Sequence, residues 1–265
     1  QTCALPICAE VPNSAGLAGG WPGSTVRQSM GRGAIENGRP KDGKWEVFGP
    51  KPGLMDMTNR DVFAVTWQGC GGWGDPLERD LDDAQRDLDA GRVSPRAAKE
   101  LYGVVSRAGR VNRKASERLR EAMRLARVGT FATEASQFCH AAPFARLGAS
   151  LALARDERGT HVVSNAGYIL ATGHTQWRKR AVARTMDRLP RVQAISLHEE
   201  LAVTAYYCPA SGAQLSVDVH RKDEAPRDDL DLDLASVEAL NAVGTSDRKS
   251  TRLNSSHITI SYAVF

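Results

Sequence analysis

The stretch from Gly71 to Gly129 constrains this chain most, because three helix starts and three helix stops follow one another within it. Asp75 followed by Pro76 supplies an N-cap and a first helical residue. Leu77, Leu81, Ala84 and Leu88 then recur at helical offsets until Gly91 ends the run. Ser94-Pro95 repeats the start signal, Ala97, Ala98 and Leu101 supply a short apolar face, and Gly103 stops it. A third helix is predicted from just after Asn112 to Arg127, with Ala115, Leu119, Ala122, Met123 and Ala126 inward and Gly129 beyond its end. Eight basic side chains between residues 106 and 127 lie largely off that apolar stripe, the pattern of a solvated face.

The flanking regions read differently. Residues 9–60 are dense in glycine and proline, which predicts loops joining short strands. Asp61–Trp67 alternates as a strand. The pattern dissolves from Gly129 to Pro143. Leu147–Arg155, His161–Val163 and Tyr168–Ala171 then read as short strands, and Thr175–Asp187 as a helix carrying Trp177. Glu200–Tyr207 and Ala213–His220 form a β-pair around a turn at CPASG, and a short helix is predicted over Ser236–Ala242. The fold class is therefore α+β, with a β- and loop-rich N-terminal part, a three-helix middle and a small β-rich C-terminal domain.

Composition narrows the class of function. Hydrophobic residues make up 42% and charged residues 25%, as in ordinary globular proteins. The apolar runs are too short to span a bilayer, and the N-terminus lacks the pattern of a secretory signal. The net charge is +4, but Arg248, Lys249 and Arg252 near the C-terminus account for much of it. The interior is close to neutral, so neither a nucleic-acid nor a membrane partner is expected. Five scattered cysteines without a CxxC pair suit free thiols in a cytoplasmic protein. The opening QTCALPIC (residues 1–8) and the closing DRKSTRLNSSHITISYAVF (residues 247–265) resemble translated sequencing-adapter sequence from the edges of metagenomic contigs. Both are expected to be artefact, the second within a tail spanning 236–265.

Four ordered motifs, GLAGGWPGS (Gly16–Ser24), GGWGDPLERD (Gly71–Asp80), DLDAGRVSPRAA (Asp87–Ala98) and LYGVV (Leu101–Val105), resemble the C-terminal part of a hydantoinase B/oxoprolinase family large subunit. This resemblance covers residues 9–128, the tail of a much longer polypeptide. After a linker over 129–145, the region 146–235 resembles the γ subunit of acetone carboxylase. The matching segments are RLGASLALARDERGTHVV (Arg146–Val163), AGYIL (Ala166–Leu170), a basic segment with Trp177, and YYCPASGAQLSVDV (Tyr206–Val219).

In that family two hairpins carry cysteine pairs, and the equivalent positions here are Val163, Ala166, Cys208 and Ser211. Cys208 is a vestige of the set, so the resemblance is to a degenerate zinc-ribbon and no metal is expected there, although His161 lies near the first knuckle. Together the two resemblances imply a fused fragment of an ATP-dependent ketone carboxylase or a hydantoinase/oxoprolinase-type enzyme. Its partners would be a hydantoinase A-type ATP-binding subunit and the remaining large subunit. ATP and a divalent metal are implied for the full complex, and no cofactor for this piece.

Among residues able to carry chemistry, Gly71, Gly72, Gly74 and Asp75 are the loop candidates for binding a cofactor. Successive N–H groups in such a loop can make an anion nest, or the glycines can serve a sharp strand-to-helix reversal capped by Asp75. The acidic cluster Asp75, Glu78, Asp80, Asp82 and Asp83 admits Mg²⁺ or a complement to the helix dipole. In both cases the structural reading is preferred. The histidines at 140, 161, 174, 198 and 220 are scattered, Cys139-His140 is adjacent only in sequence, and GxSxG, P-loop and HExxH patterns are absent. No catalytic residue is assigned. The role expected for the fragment is assembly. The alternative is a non-catalytic subunit-interaction module unrelated to carboxylation.

Overall fold

A computed structural model describes residues 11–225 apart from 13 and 50, the isolated residues 230, 233, 234 and 237, and the backbone alone of residues 2, 3 and 40. In chain order its longer elements are β1 (Arg27–Arg32), β2 (Lys44–Phe48), β3 (Val62–Thr66), α1 (Leu81–Asp89), α2 (Pro95–Tyr102) and α3 (Arg113–Val128). They are followed by β4 (Ala145–Leu147), β5 (Leu151–Asp156), β6 (Gly159–Ser164), β7 (Ile169–Thr172), β8 (Val182–Met186), β9 (Leu201–Tyr207) and β10 (Gln214–Arg221). Helices and small antiparallel sheets make the fold α+β. No helix among the described residues is long and apolar enough to cross a membrane.

The chain divides into two compact units, one of residues 1–131 with 182–226 and the other of 132–181 with 227–265. The region 146–235 is thus shared: its residues 146–181 and 227–235 fall in the second unit and 182–226 in the first. The sequence-predicted helix over Ser236–Ala242 lies outside the described residues apart from Val237, as do both terminal segments apart from the backbone of residues 2 and 3.

In the first unit β1 is the centre of an antiparallel sheet ordered β2-β1-β3. Strand alternation puts Gln28 and Met30 on a fully buried face, whereas Trp45 and Val47 of β2 share an exposed one. Gly31 stands opposite Trp45, and a β-carbon on Gly31 would come within 3.0 Å of the Trp45 ring. Asp61 pins the end of this sheet by accepting from Gly33 N at 2.8 Å and from the Thr58 amide at 3.0 Å. These amide hydrogen bonds, foremost that from Thr58, hold its carboxyl down to about 2.

The helices follow their punctuation with one revision at the start. Asp75 caps a single 3₁₀ turn, Pro76–Glu78, and Asp80 then opens α1 by accepting from the amides of Asp82 and Asp83. Ser94 caps α2 and Asn112 caps α3, while Gly103 ends α2 at φ 61°. Leu81, Ala84, Ala98 and Val104 form the helical core, with Leu88, Val93, Tyr102 and Val111 packed at its edge.

The inner face of α3 is the predicted one in part, with Ala115, Leu119 and Met123 half-buried. Ala122 and Ala126 are exposed, and Ser116, Arg120, Met123, Arg124 and Arg127 turn inward. Arg120 donates to the carbonyls of Tyr102 (2.9 Å) and Arg79 (2.7 Å), and Arg124 to that of Leu77 (3.5 Å). The apolar stems of arginine cover the core while their heads satisfy carbonyls at the ends of the neighbouring turns. Three of its arginines thus make inward contacts, while Arg113, Lys114, Glu117, Arg118 and Glu121 stay exposed.

A second three-stranded sheet of the first unit is ordered β8-β9-β10, all antiparallel. Val203, Ala205, Tyr207 and Val217 form its core, joined by Trp21 and Val128. The predicted helix over Thr175–Asp187 is instead a 3₁₀ turn, Trp177–Arg180, followed by strand β8. Pairing of Val182–Met186 with Tyr207–Val203 overrides the local helical pattern.

The second unit carries an antiparallel meander, β4-β5-β6-β7. The predicted strand Leu147–Arg155 is divided between β4 and β5, with Gly148 at φ 83° in the break. Cys139, Ala152, Ala154, Val163 and Ile169 form its core.

Candidate functional site

The two glycine loops, Gly16–Ser24 and Gly69–Gly74, are interlocked through their main chains. Leu17 N donates to Gly72 O (2.9 Å), Gly72 N to Trp21 O (2.8 Å) and Gly74 N to Leu17 O (2.9 Å). Gly71 N donates to Ser14 Oγ (2.9 Å) and Gly69 N to Ser24 Oγ (2.8 Å). The approach is too close for any side chain. A β-carbon on Gly71 would lie 1.9 Å from Ala15 O, on Gly20 2.0 Å from Gly72 O, and on Gly23 2.1 Å from Gly69 O. An anion nest needs its N–H groups directed at a ligand, but those of Gly71, Gly72 and Gly74 are directed at the other loop.

Asp75, the next residue, sits at a buried junction of three distant segments. Its Oδ1 accepts from Leu77 N (3.0 Å) and Arg127 Nη2 (2.9 Å). Its Oδ2 accepts from Arg127 Nη1 (2.6 Å) and Gln214 N (2.9 Å). The Asp75 side chain is 1% exposed and that of Arg127 13%, so the pair is a shielded, two-pronged ion pair. Arg127 also donates to Gly212 O at 3.0 Å and lies 5.1 Å from the centre of the Tyr207 ring. Burial pushes the Tyr207 hydroxyl up against the opposing pull of Arg127. Gln214 extends the junction to the first glycine loop, donating through Nε2 to Gly19 O at 2.6 Å. The cap bond to Leu77 was readable locally. Arg127 and Gln214 lie 52 and 139 residues away, and no local signal announces them.

The remaining acidic residues disperse into structural roles. Asp80 caps α1, Asp82 pairs with Arg113 and Asp83 with Arg86. Partial burial and the neighbouring Asp75 charge raise the Glu78 carboxyl. Neither these groups nor the glycine amides fit a nucleotide triphosphate: the amides are engaged and no lysine stands in the loop. Of the histidines, His140 stacks on Phe138, while His174 and His198 accept from the amides two residues on. His220 meets the Thr204 hydroxyl at 2.8 Å.

The four positions expected from the cysteine-paired hairpins divide between the units, Val163 and Ala166 in the second, Cys208 and Ser211 in the first. Cys208 is fully buried, and its main chain closes the β9–β10 turn through Ala213 and Gly212.

Within the second unit, Cys139, Asp156 and His161 converge on one face of the meander, each offering a ligand-type atom within 4.8 Å of the others. The His161 ring, 1% exposed, places Nε2 2.7 Å from Asp156 Oδ1 and Nδ1 2.9 Å from Thr172 Oγ1. Arg158 holds Asp156 Oδ2 at 2.6 Å, and with His161 it keeps that carboxyl well below the usual range. Arg158 also donates to the carbonyls of Ser136 and Phe138, which positions the segment before Cys139. Neither Cys139 nor Asp156 was singled out with His161 in the sequence, where they share no ligand spacing.

No family model matches the chain and no curated protein matches it. Among solved structures, it is similar to a nucleotide-free acetone carboxylase from work on ATP-dependent acetone carboxylation, with a TM-score of 0.37 and 22% identity. The match covers 46% of this chain and 20% of that one, so the chain spans about a fifth of its neighbour.

Proposed function

We propose that this chain is a fragment of a subunit of an ATP-dependent ketone carboxylase or hydantoinase/oxoprolinase-type complex, and that its role there is assembly. The ordered motif series from Gly16 to Val105, followed by the γ-like segments from Arg146 to Val219, supports the family. The assembly role rests on one observation: the first unit turns its glycine amides and the Asp75 carboxylate inward and leaves large apolar side chains outside. Trp73 is 70% exposed and Trp67 65%, with Leu17 across the bridge from Trp73. Trp45 and Val47 add a further exposed face on β2. Exposed tryptophans of this kind mark interaction surfaces, and the occupant here is the remaining large subunit. ATP is then handled by the hydantoinase A-type partner, and the divalent metal of the full complex is held outside this fragment.

The purified chain is expected to show no ATP hydrolysis above a buffer blank, measured by phosphate release at saturating nucleotide and Mg²⁺. Turnover that persists through successive purification steps would refute the assembly role.

A further inference from the structure

We propose that Cys139, His161 and Asp156 form a binding site for one divalent ion of the zinc class, with a fourth position left to water or an external ligand. The three side chains supply sulfur, nitrogen and oxygen, a set that selects zinc or a similar borderline-soft ion over magnesium or calcium. Sequence distance is bridged by the meander: His161 on β6 lies opposite Ala154 and Thr172, and Asp156 ends β5 on the same face. Cys139 packs over that face against Ala154 and Val163, at 5% exposure.

The surrounding groups are those a metal site needs. Thr172 Oγ1, 2.9 Å from Nδ1, is placed to accept from the Nδ1–H tautomer, the one whose Nε2 lone pair faces the ion. Arg158 holds Asp156 Oδ2 through its side chain and Oδ1 through its amide at 2.8 Å, which fixes the carboxylate plane and leaves the Oδ1 lone pair that faces His161 for the ion. Metal–ligand distances near 2.0–2.3 Å set ligand atoms about 3.3–3.8 Å apart in a tetrahedron. The 2.7 Å His161–Asp156 hydrogen bond must therefore open slightly and the thiolate close in, from separations no greater than 4.8 Å. Binding releases the Cys139 thiol proton, while the neutral His161 ring keeps its single proton on Nδ1 and presents Nε2 to the ion. This site is separate from the four cysteine-equivalent positions of the γ-like hairpins.

The test is metal titration of the intact 265-residue chain after chelator treatment, with Co²⁺ as an optical probe and Zn²⁺ as competitor. One equivalent of Co²⁺ is expected to bind, with a near-ultraviolet thiolate charge-transfer band that Zn²⁺ abolishes. Cys139→Ser is expected to remove the band and lower affinity at least tenfold, whereas the exposed Cys70→Ser leaves both unchanged. Should Cys139→Ser lose its native circular dichroism, Asp156→Asn and Thr172→Val decide, with an affinity loss of about 10-fold or more expected in each. The absence of stoichiometric binding, a band that survives Cys139→Ser, or unchanged affinity in both of the other variants would overturn the site.

Discussion

Asp75→Ala is expected to destabilise the larger unit by roughly 3–5 kcal/mol, the loss typical of breaking a buried ion pair on one side. The substitution removes an acceptor that receives the amides of Leu77 and Gln214 and both terminal nitrogens of Arg127. It also leaves the Arg127 side chain, only 13% exposed, without its counter-charge. For a unit of this size the fall in Tm is on the order of 10 °C. Arg127 loses less on its own account, because its second contact, to Gly212 O, survives. Adding Arg127→Met to Asp75→Ala should accordingly cost much less than the sum of the two single changes, the signature of a shared interaction. Chemical denaturation of the four proteins checks both expectations. A loss below about 1 kcal/mol for Asp75→Ala, within the range of ordinary surface substitutions and small contacts, would show that the junction does not tie the unit together.

The second large effect is steric. Gly71→Ala sets a methyl group 1.9 Å from Ala15 O, where the obstacle is backbone and no side chain can swing aside. The loops must separate, and the hydrogen bonds of Gly71, Gly72 and Gly74 across them go with the contact. Overpacking ordinarily costs about 1–3 kcal/mol, and the loss here is expected at or above the upper end because main-chain bonds fail as well. Gly49→Ala is the matched control: nothing lies within 4 Å of the added carbon, and the change should stay within about 0.5 kcal/mol. Hydrogen exchange at the Leu17 and Gly72 amides reads the same event directly. Those amides should lose protection in Gly71→Ala and keep it in Gly49→Ala.

Local punctuation was the legible part of this fold. Ser94, Gly103, Asn112 and Gly129 act within five residues of themselves, so their meaning survives without knowledge of the tertiary structure. The limits appear where a distant partner decides. Residues 182–186 carry a pattern compatible with a helix, yet β9 recruits them as an edge strand. Arg120 and Arg124 of α3 look like part of a solvated row, which Arg113 and Arg118 are, because sequence shows charge and not the carbonyls of Tyr102, Arg79 and Leu77 that those two meet.

The same divide runs through the candidate sites. The GGWGDP loop was recognisable as a tight reversal, and its glycines do serve close main-chain approach, but the identity of the opposing loop is a tertiary fact. Asp75 was readable as a cap and unreadable as an ion-pair centre, since Arg127 and Gln214 reach it across 52 and 139 residues. Cys139 and Asp156 flank His161 only after the meander has folded back on itself.

The proposed assembly role is most directly tested by co-expressing the chain with a hydantoinase A-type subunit and the upstream part of a hydantoinase B-type large subunit, then measuring the mass of the purified species. The chain should elute within a stoichiometric complex. Trp67→Ser combined with Trp73→Ser should keep the fold and weaken that complex by at least 30-fold, about 2 kcal/mol, as loss of interfacial tryptophan anchors does. A chain that remains alone in the presence of both subunits, or a complex indifferent to the two substitutions, would contradict the assembly role.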